Sequence, residues 1–68
     1  MRSETIENSV HALRVKSRAT QEDVAKAVGV TRQTVIAIEK GNYVPSVMLA
    51  IRLAEFFRVS VEDIFKIT

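Results

Sequence analysis

The apolar positions of this chain fall into five runs at helical spacing, each bounded by residues that start or stop a helix. Ile6, Val10 and Leu13 stand at i, i+4 and i+7 and predict a first helix from about Ile6 to Ser17. Val24, Ala25 and Val28 mark the inward face of a second, about Gln21 to Val28, and Val35 and Ile38 that of a third, about Arg32 to Glu39. Val47, Ala50, Leu53, Ala54 and Phe57 predict a buried stripe on a fourth helix over 47–57, and Val61, Ile64 and Phe65 close the core from a short fifth over 61–65.

The boundaries have a local chemical cause. A Ser or Thr side chain can accept one of the unpaired backbone N–H groups at a helix start, and Thr20, Thr31, Ser46 and Ser60 stand where that is needed. In Thr20-Gln21-Glu22-Asp23 and Ser60-Val61-Glu62-Asp63 an acid follows the cap by three residues, an approximate capping box that also suits the helix dipole. Gly29 can take the positive φ that ends a helix, Lys40-Gly41-Asn42 stops the third, and Val44-Pro45 forbids continuation. Nothing alternates at period two for long enough to demand a buried sheet, although Thr5-Ile6-Glu7 and Lys66-Ile67-Thr68 are compatible with a marginal strand pair. The expectation is an all-α, five-helix fold occupying residues 1–68 as one domain, with at most a small terminal β-strand pair.

Two short helices joined by Gly29-Val30-Thr31 match a helix-turn-helix, in which a tight turn leaves the second helix projecting. Thr20-Gln21-Glu22-Asp23-Val24-Ala25, Gly29-Val30-Thr31-Arg32-Gln33-Thr34-Val35, Ile38-Glu39-Lys40-Gly41 and Pro45-Ser46 followed by Leu49-Ala50 are together specific. On these residues the chain resembles the Cro and phage-repressor (Xre) helix-turn-helix family over about Asn8 to Phe65, and is similar to its short stand-alone repressors such as the cytolysin repressor, which also end in a segment like Glu62-Asp63-Ile64-Phe65. The resemblance implies a lambda-repressor-like DNA-binding domain, and a homodimer extended by a small antiparallel sheet. Two projecting helices would then enter successive major grooves about 34 Å apart, on a near-palindromic operator.

Major-groove reading falls to side chains near the start of the projecting helix, here Arg32, Gln33, Ile36 and Ala37. Arg32 suits guanine O6 and N7, Gln33 suits adenine N6 and N7, and Ile36 or Ala37 suits a thymine methyl. Ile36 is expected to point outward, because Val35 and Ile38 already take the inward positions. The resemblance gives the phosphate grip to Gln21, Thr34, Asn42 and Tyr43, with Thr31 and Lys40 in the same set, and implies a buried ion pair between Arg14 and Glu39. It also shows departures. Arg58 stands where relatives carry Gly or Asn after the fourth helix, and Met48 and Phe56 stand where polar residues are usual. A subunit interface is the reading for Met48 and Phe56, and Phe56, Ile64, Phe65 and Ile67 are the candidates for it.

Composition adds limits. A 68-residue chain with 47% hydrophobic and 26% charged residues suits one small helical core. Its net charge is only +2, but residues 1–40 carry seven Lys/Arg against five Asp/Glu and the remainder three against three, so the excess lies in the half with the motif. There is no cysteine, one histidine and no phosphate-binding glycine loop, which argues against an enzyme, a cofactor or a metal site. His11 is given no role. Met1-Arg2-Ser3-Glu4 leads into no apolar leader and the apolar runs are short, so no membrane partner is expected and the setting is read as cytoplasmic, prokaryotic or phage. A core this small is expected to be filled and to hold no small-molecule ligand. A competing reading is an antitoxin or protein-interaction module whose DNA binding is autoregulatory. Against it, the domain is expected to leave only about seven N-terminal and three C-terminal residues free.

Overall fold

Each cap residue does locally what its chemistry suggests. In the computed structural model, which describes residues 4–68, α1 spans Val10–Lys16, α2 Gln21–Val28, α3 Arg32–Glu39, α4 Val47–Phe57 and α5 Val61–Ile64. Met1, Arg2 and Ser3, part of the stretch expected to hold no apolar leader, lie outside the described residues. Thr20 Oγ1 accepts from the Asp23 N–H at 3.0 Å while the Thr20 N–H donates to Asp23 Oδ2 at 2.9 Å, a reciprocal capping box. Ser60 and Asp63 repeat the arrangement at 3.1 and 3.0 Å. Thr31 and Ser46 cap with the hydroxyl alone, accepting from Thr34 N at 3.2 Å and Leu49 N at 3.1 Å.

The first helix begins later than its apolar spacing suggests. Ile6–Asn8 form β1, which pairs antiparallel with β2, Phe65–Ile67, in the register Ile6 to Ile67, Glu7 to Lys66 and Asn8 to Phe65. Asn8 makes the switch. Its Oδ1 accepts from Val10 N at 3.1 Å and its Nδ2 donates to the Ile38 carbonyl at 2.8 Å, so one side chain starts α1 and ties it to α3. Ser9 N donates to the Ile64 carbonyl at 2.9 Å, and Thr5 and Thr68 exchange backbone bonds at 3.3 and 2.9 Å. The backbone groups a longer helix would have paired internally are thus taken by the other end of the chain. For the same reason Phe65 leaves the predicted fifth helix and opens β2, with φ −113° and ψ 129°. The fold is mostly helical with a small antiparallel two-stranded sheet.

The core joins Val10, Val24, Ala25, Val28, Val35, Ile38, Leu49, Leu53, Ala54 and Ile64, with α2 packed on both α3 and α4. Val47 was expected on the buried stripe of α4 but is 77% exposed. Leu49, Leu53 and Phe57 repeat every four residues on the inward side, and Val47 lies about 200° round the helix from Leu49. Ile64 closes the core as its spacing suggests and is fully buried there, so of its two expected places the subunit interface is the one it has no surface to offer.

Helix ends follow one device with two chemistries. Gly29 and Gly41 take φ of 79° and 78°, as their lack of Cβ allows. Arg18 and Arg58 take φ of 59° and 58°, the same left-handed turn with a side chain in place. After Arg18, the Ala19 N–H donates to the Arg14 carbonyl at 3.1 Å, and after Arg58 the Val59 N–H donates to the Ala54 carbonyl at 3.0 Å.

Candidate nucleic-acid interface

The projecting helix is α3, and its inward side anchors it. Val35 and Ile38 are each 1% exposed, and the turn from α2 passes through left-handed Gly29. From α4, Arg52 Nη1 donates to the Val28 carbonyl at 3.4 Å beside that turn. At the start of α3, Arg32 and Gln33 are exposed, while Ile36 and Ala37 are half-buried one turn further on. Ile36 is thus half-buried and not the freely outward residue its spacing suggests.

Two shallow depressions flank α3 and divide the expected contact residues between them. Gln33, Thr34, Ala37, Asn42 and Tyr43 line one, of about 370 Å³. Gln21 and Arg32 line the other, of about 380 Å³, together with Arg14 and Arg18. Ile36 and Lys40 line neither. The Thr31 hydroxyl is engaged in capping and in a 3.1 Å contact with the Thr34 hydroxyl, so it serves first as structure. Asn42 is placed by the end of α3, its N–H donating to the Ala37 carbonyl at 2.9 Å after left-handed Gly41. Tyr43 follows, 45% exposed.

A polar cluster joins α1, the start of α2 and the end of α3. Arg14 Nε donates to Glu39 Oε2 at 2.6 Å and Nη2 donates to Oε1 at 3.3 Å; their side chains are 15% and 7% exposed. Arg14 Nη1 also donates to the Ala19 carbonyl at 3.1 Å. Gln21 Nε2 donates to Glu39 Oε1 at 3.1 Å, which uses one amide hydrogen and leaves another for a phosphate. Burial pushes the Glu39 carboxyl up, but hydrogen bonds from Arg14, Gln21 and His11 and the charge of Arg14 outweigh it and hold it below the ordinary glutamate value. The hydrogen bond to Glu39, against some desolvation, raises the Arg14 guanidinium.

Three residues of this region escaped sequence reasoning. His11, given no role, places Nδ1 3.3 Å from Glu39 Oε1 and 3.2 Å from Arg14 Nη2. Its position three residues before Arg14 on α1 was the available signal. Asn8 was hidden inside a predicted helix. Arg18 carried no signal, because nothing in Lys16-Ser17-Arg18-Ala19 announces a left-handed turn.

The model of one protein family, described as helix-turn-helix, matches residues 10–64, which run from the start of α1 to the end of α5. The chain belongs to the helix-turn-helix family. Within it, an HTH-type transcriptional regulator of Methanocaldococcus jannaschii is 53% identical over 60 residues, covering 88% of this chain and 91% of that protein. The cryptic phage CTXphi transcriptional repressor RstR of Vibrio cholerae is 33% identical over 57 residues, 84% of this chain and 51% of that protein. Among solved structures, the restriction-modification controller protein C.AhdI from Aeromonas hydrophila superposes with a TM-score of 0.74 at 24% identity, over 79% of this chain and 82% of that one. That likeness shows the fold. The α2 and α3 of this helix-turn-helix protein form the motif itself, and no described helix is long and apolar enough to cross a membrane.

Proposed function

We propose that the protein is a sequence-specific double-stranded DNA-binding transcriptional regulator, a repressor that acts as a homodimer on a near-palindromic operator. The observation that carries this reading is α3 itself: fixed from behind by Val35 and Ile38, it offers Arg32 and Gln33 at its exposed start between two depressions. Arg32, Gln33, Ile36 and Ala37 meet base edges in the major groove, while Gln21, Thr34, Lys40, Asn42 and Tyr43 hold phosphates on either side. Thr31 supports them through its cap. A relative named as a phage repressor supports repression by occupancy of a promoter.

Dimerisation rests on apolar surface. Phe56 is 36% exposed and stacks edge-on against Phe57 at 5.0 Å, and Ile67 on β2 is 68% exposed opposite Ile6. Phe65 is half-buried, packed against the core at the start of β2. A second copy covering this area would double the phosphate contacts and steepen the salt dependence of binding. Selection of bound duplexes from a random pool, repeated with Arg32→Ala, tests the base-reading role. The expected outcome is a palindromic consensus that loses preference at one position of each half-site in the variant. Selection that yields no consensus would overturn the reading, and a single 7.6 kDa species on DNA in sedimentation equilibrium would remove the dimer.

A further inference from the structure

We infer that Arg18 is a second point of attachment to DNA: a guanidinium, off the helix-turn-helix motif, that takes a backbone phosphodiester in the depression beside Arg32. This rests on the DNA-binding reading above. The depression is lined by Arg14, Arg18, Ala19, Thr20, Gln21, Glu22 and Arg32. Of its three guanidinium groups, that of Arg14 is neutralised by Glu39 at 2.6 Å. Those of Arg18 and Arg32 make no hydrogen bond or ion pair among the described residues, and both side chains are exposed. With Glu22 as the acid on the rim, the hollow keeps a net positive charge on the flank of α3, where an incoming duplex would present its backbone.

At the α2 start the Asp23 N–H is already taken by Thr20 Oγ1, and the Asp23 carboxylate there offsets the positive end of the helix. The charge has to come from side chains. Arg18 reaches the hollow because the backbone turns left-handed at φ 59°, the conformation in which glycine is favoured over any residue with a side chain. Glycine takes the same turn at Gly29 and Gly41 and arginine takes it again at Arg58, so what sets Arg18 apart is the hollow its side chain lines. A planar guanidinium with parallel N–H donors matches two phosphate oxygens, which lysine does only as a point charge.

The test compares the full chain with Arg18→Gly, Arg18→Lys and Glu22→Gln, using fluorescence anisotropy on a duplex of random sequence and on the selected operator across a salt series. Because glycine relieves the left-handed turn, Arg18→Gly is expected to keep or raise the thermal midpoint, which separates lost binding from lost folding. Its affinity for both duplexes should fall on the order of tenfold, with the slope of log K against log salt shallower by about 0.9 per bound protomer. Arg18→Lys should retain most of the slope, and Glu22→Gln should bind both duplexes more tightly. A single uncharged methylphosphonate at the contacted position should weaken the wild type and leave Arg18→Gly unchanged. If the wild type binds duplex but Arg18→Gly binds it with the same affinity and slope, the role of Arg18 is overturned while the DNA-binding reading stands. Wild type that binds no duplex at low salt would overturn both.

Discussion

Replacing Arg14 by Ala tests the link between the first helix and the end of α3. It deletes the bonds to Glu39 at 2.6 and 3.3 Å and leaves the Ala19 carbonyl without its donor at 3.1 Å. Glu39, only 7% exposed, keeps Gln21 at 3.1 Å and His11 at 3.3 Å. Breaking a fully buried pair costs about 3–5 kcal/mol, and bonds to charged groups contribute about 1.5–3 kcal/mol. Arg14 sits at the rim, 15% exposed, and two partners remain on the carboxylate, so a cost of about 2–3 kcal/mol is expected. For a chain this size, whose total stability is about 3–10 kcal/mol, that is a large share. With an m-value near 1 kcal/mol per molar urea, the unfolding midpoint followed by circular dichroism should drop by about 2–3 M. Arg14→Met combined with Glu39→Met should recover much of the loss, because no charge is then left buried. An unchanged midpoint for Arg14→Ala, or a double variant whose cost equals the sum of the singles, would refute the coupling.

Three further outcomes follow from the geometry. Arg58→Gly should stabilise the protein by roughly 0.5–1 kcal/mol, seen as a thermal midpoint several degrees higher, because φ 58° there is costly for a residue with a Cβ; a lower midpoint would show that the arginine is compensated by contacts of its own. Asn8→Ala removes both the bond to Val10 N and the bond to the Ile38 carbonyl and should cost about 1–2 kcal/mol in urea unfolding; an unaltered midpoint would mean that the strand, and not Asn8, sets the start of α1. The carboxyls of Asp23 and Asp63 are held low, chiefly by the backbone N–H of Thr20 and of Ser60, and that of Glu39 is also held low against its burial. Since their folded pKa values lie below the unfolded ones, the stability they contribute is present above the ordinary carboxyl range and is lost as pH falls through the lowered values. Glu39→Gln should therefore flatten the acid limb of a stability–pH profile, and an acid limb identical to wild type would count against this account.

What was legible in the sequence was whatever is decided within a turn or two of chain. Thr20, Thr31, Ser46 and Ser60 cap helices through atoms three residues away, and Gly29 after α2 and Gly41 just beyond α3 turn the chain through their own backbone, so α2, α3 and the start of α4 keep the limits their residues suggest. The same locality exposes Arg32 and Gln33 while burying Val35 and Ile38. Only the tertiary structure decided the rest. Ile6, Val10 and Leu13 fit a helix, yet Ile6–Asn8 become a strand because their backbone groups find partners in Phe65–Ile67, at the other end of the chain. No helical period can announce a partner that distant. Val47 leaves the buried stripe and Ile64 keeps its core place at the expense of the interface, because burial depends on which side of a helix meets a neighbour, and Arg18 meets Arg32 across a hollow that exists only once α1, α2 and α3 have packed. Spacing records how a segment folds on itself; which surfaces face each other is set by contacts between segments, whose entropy cost is met only by the assembled core.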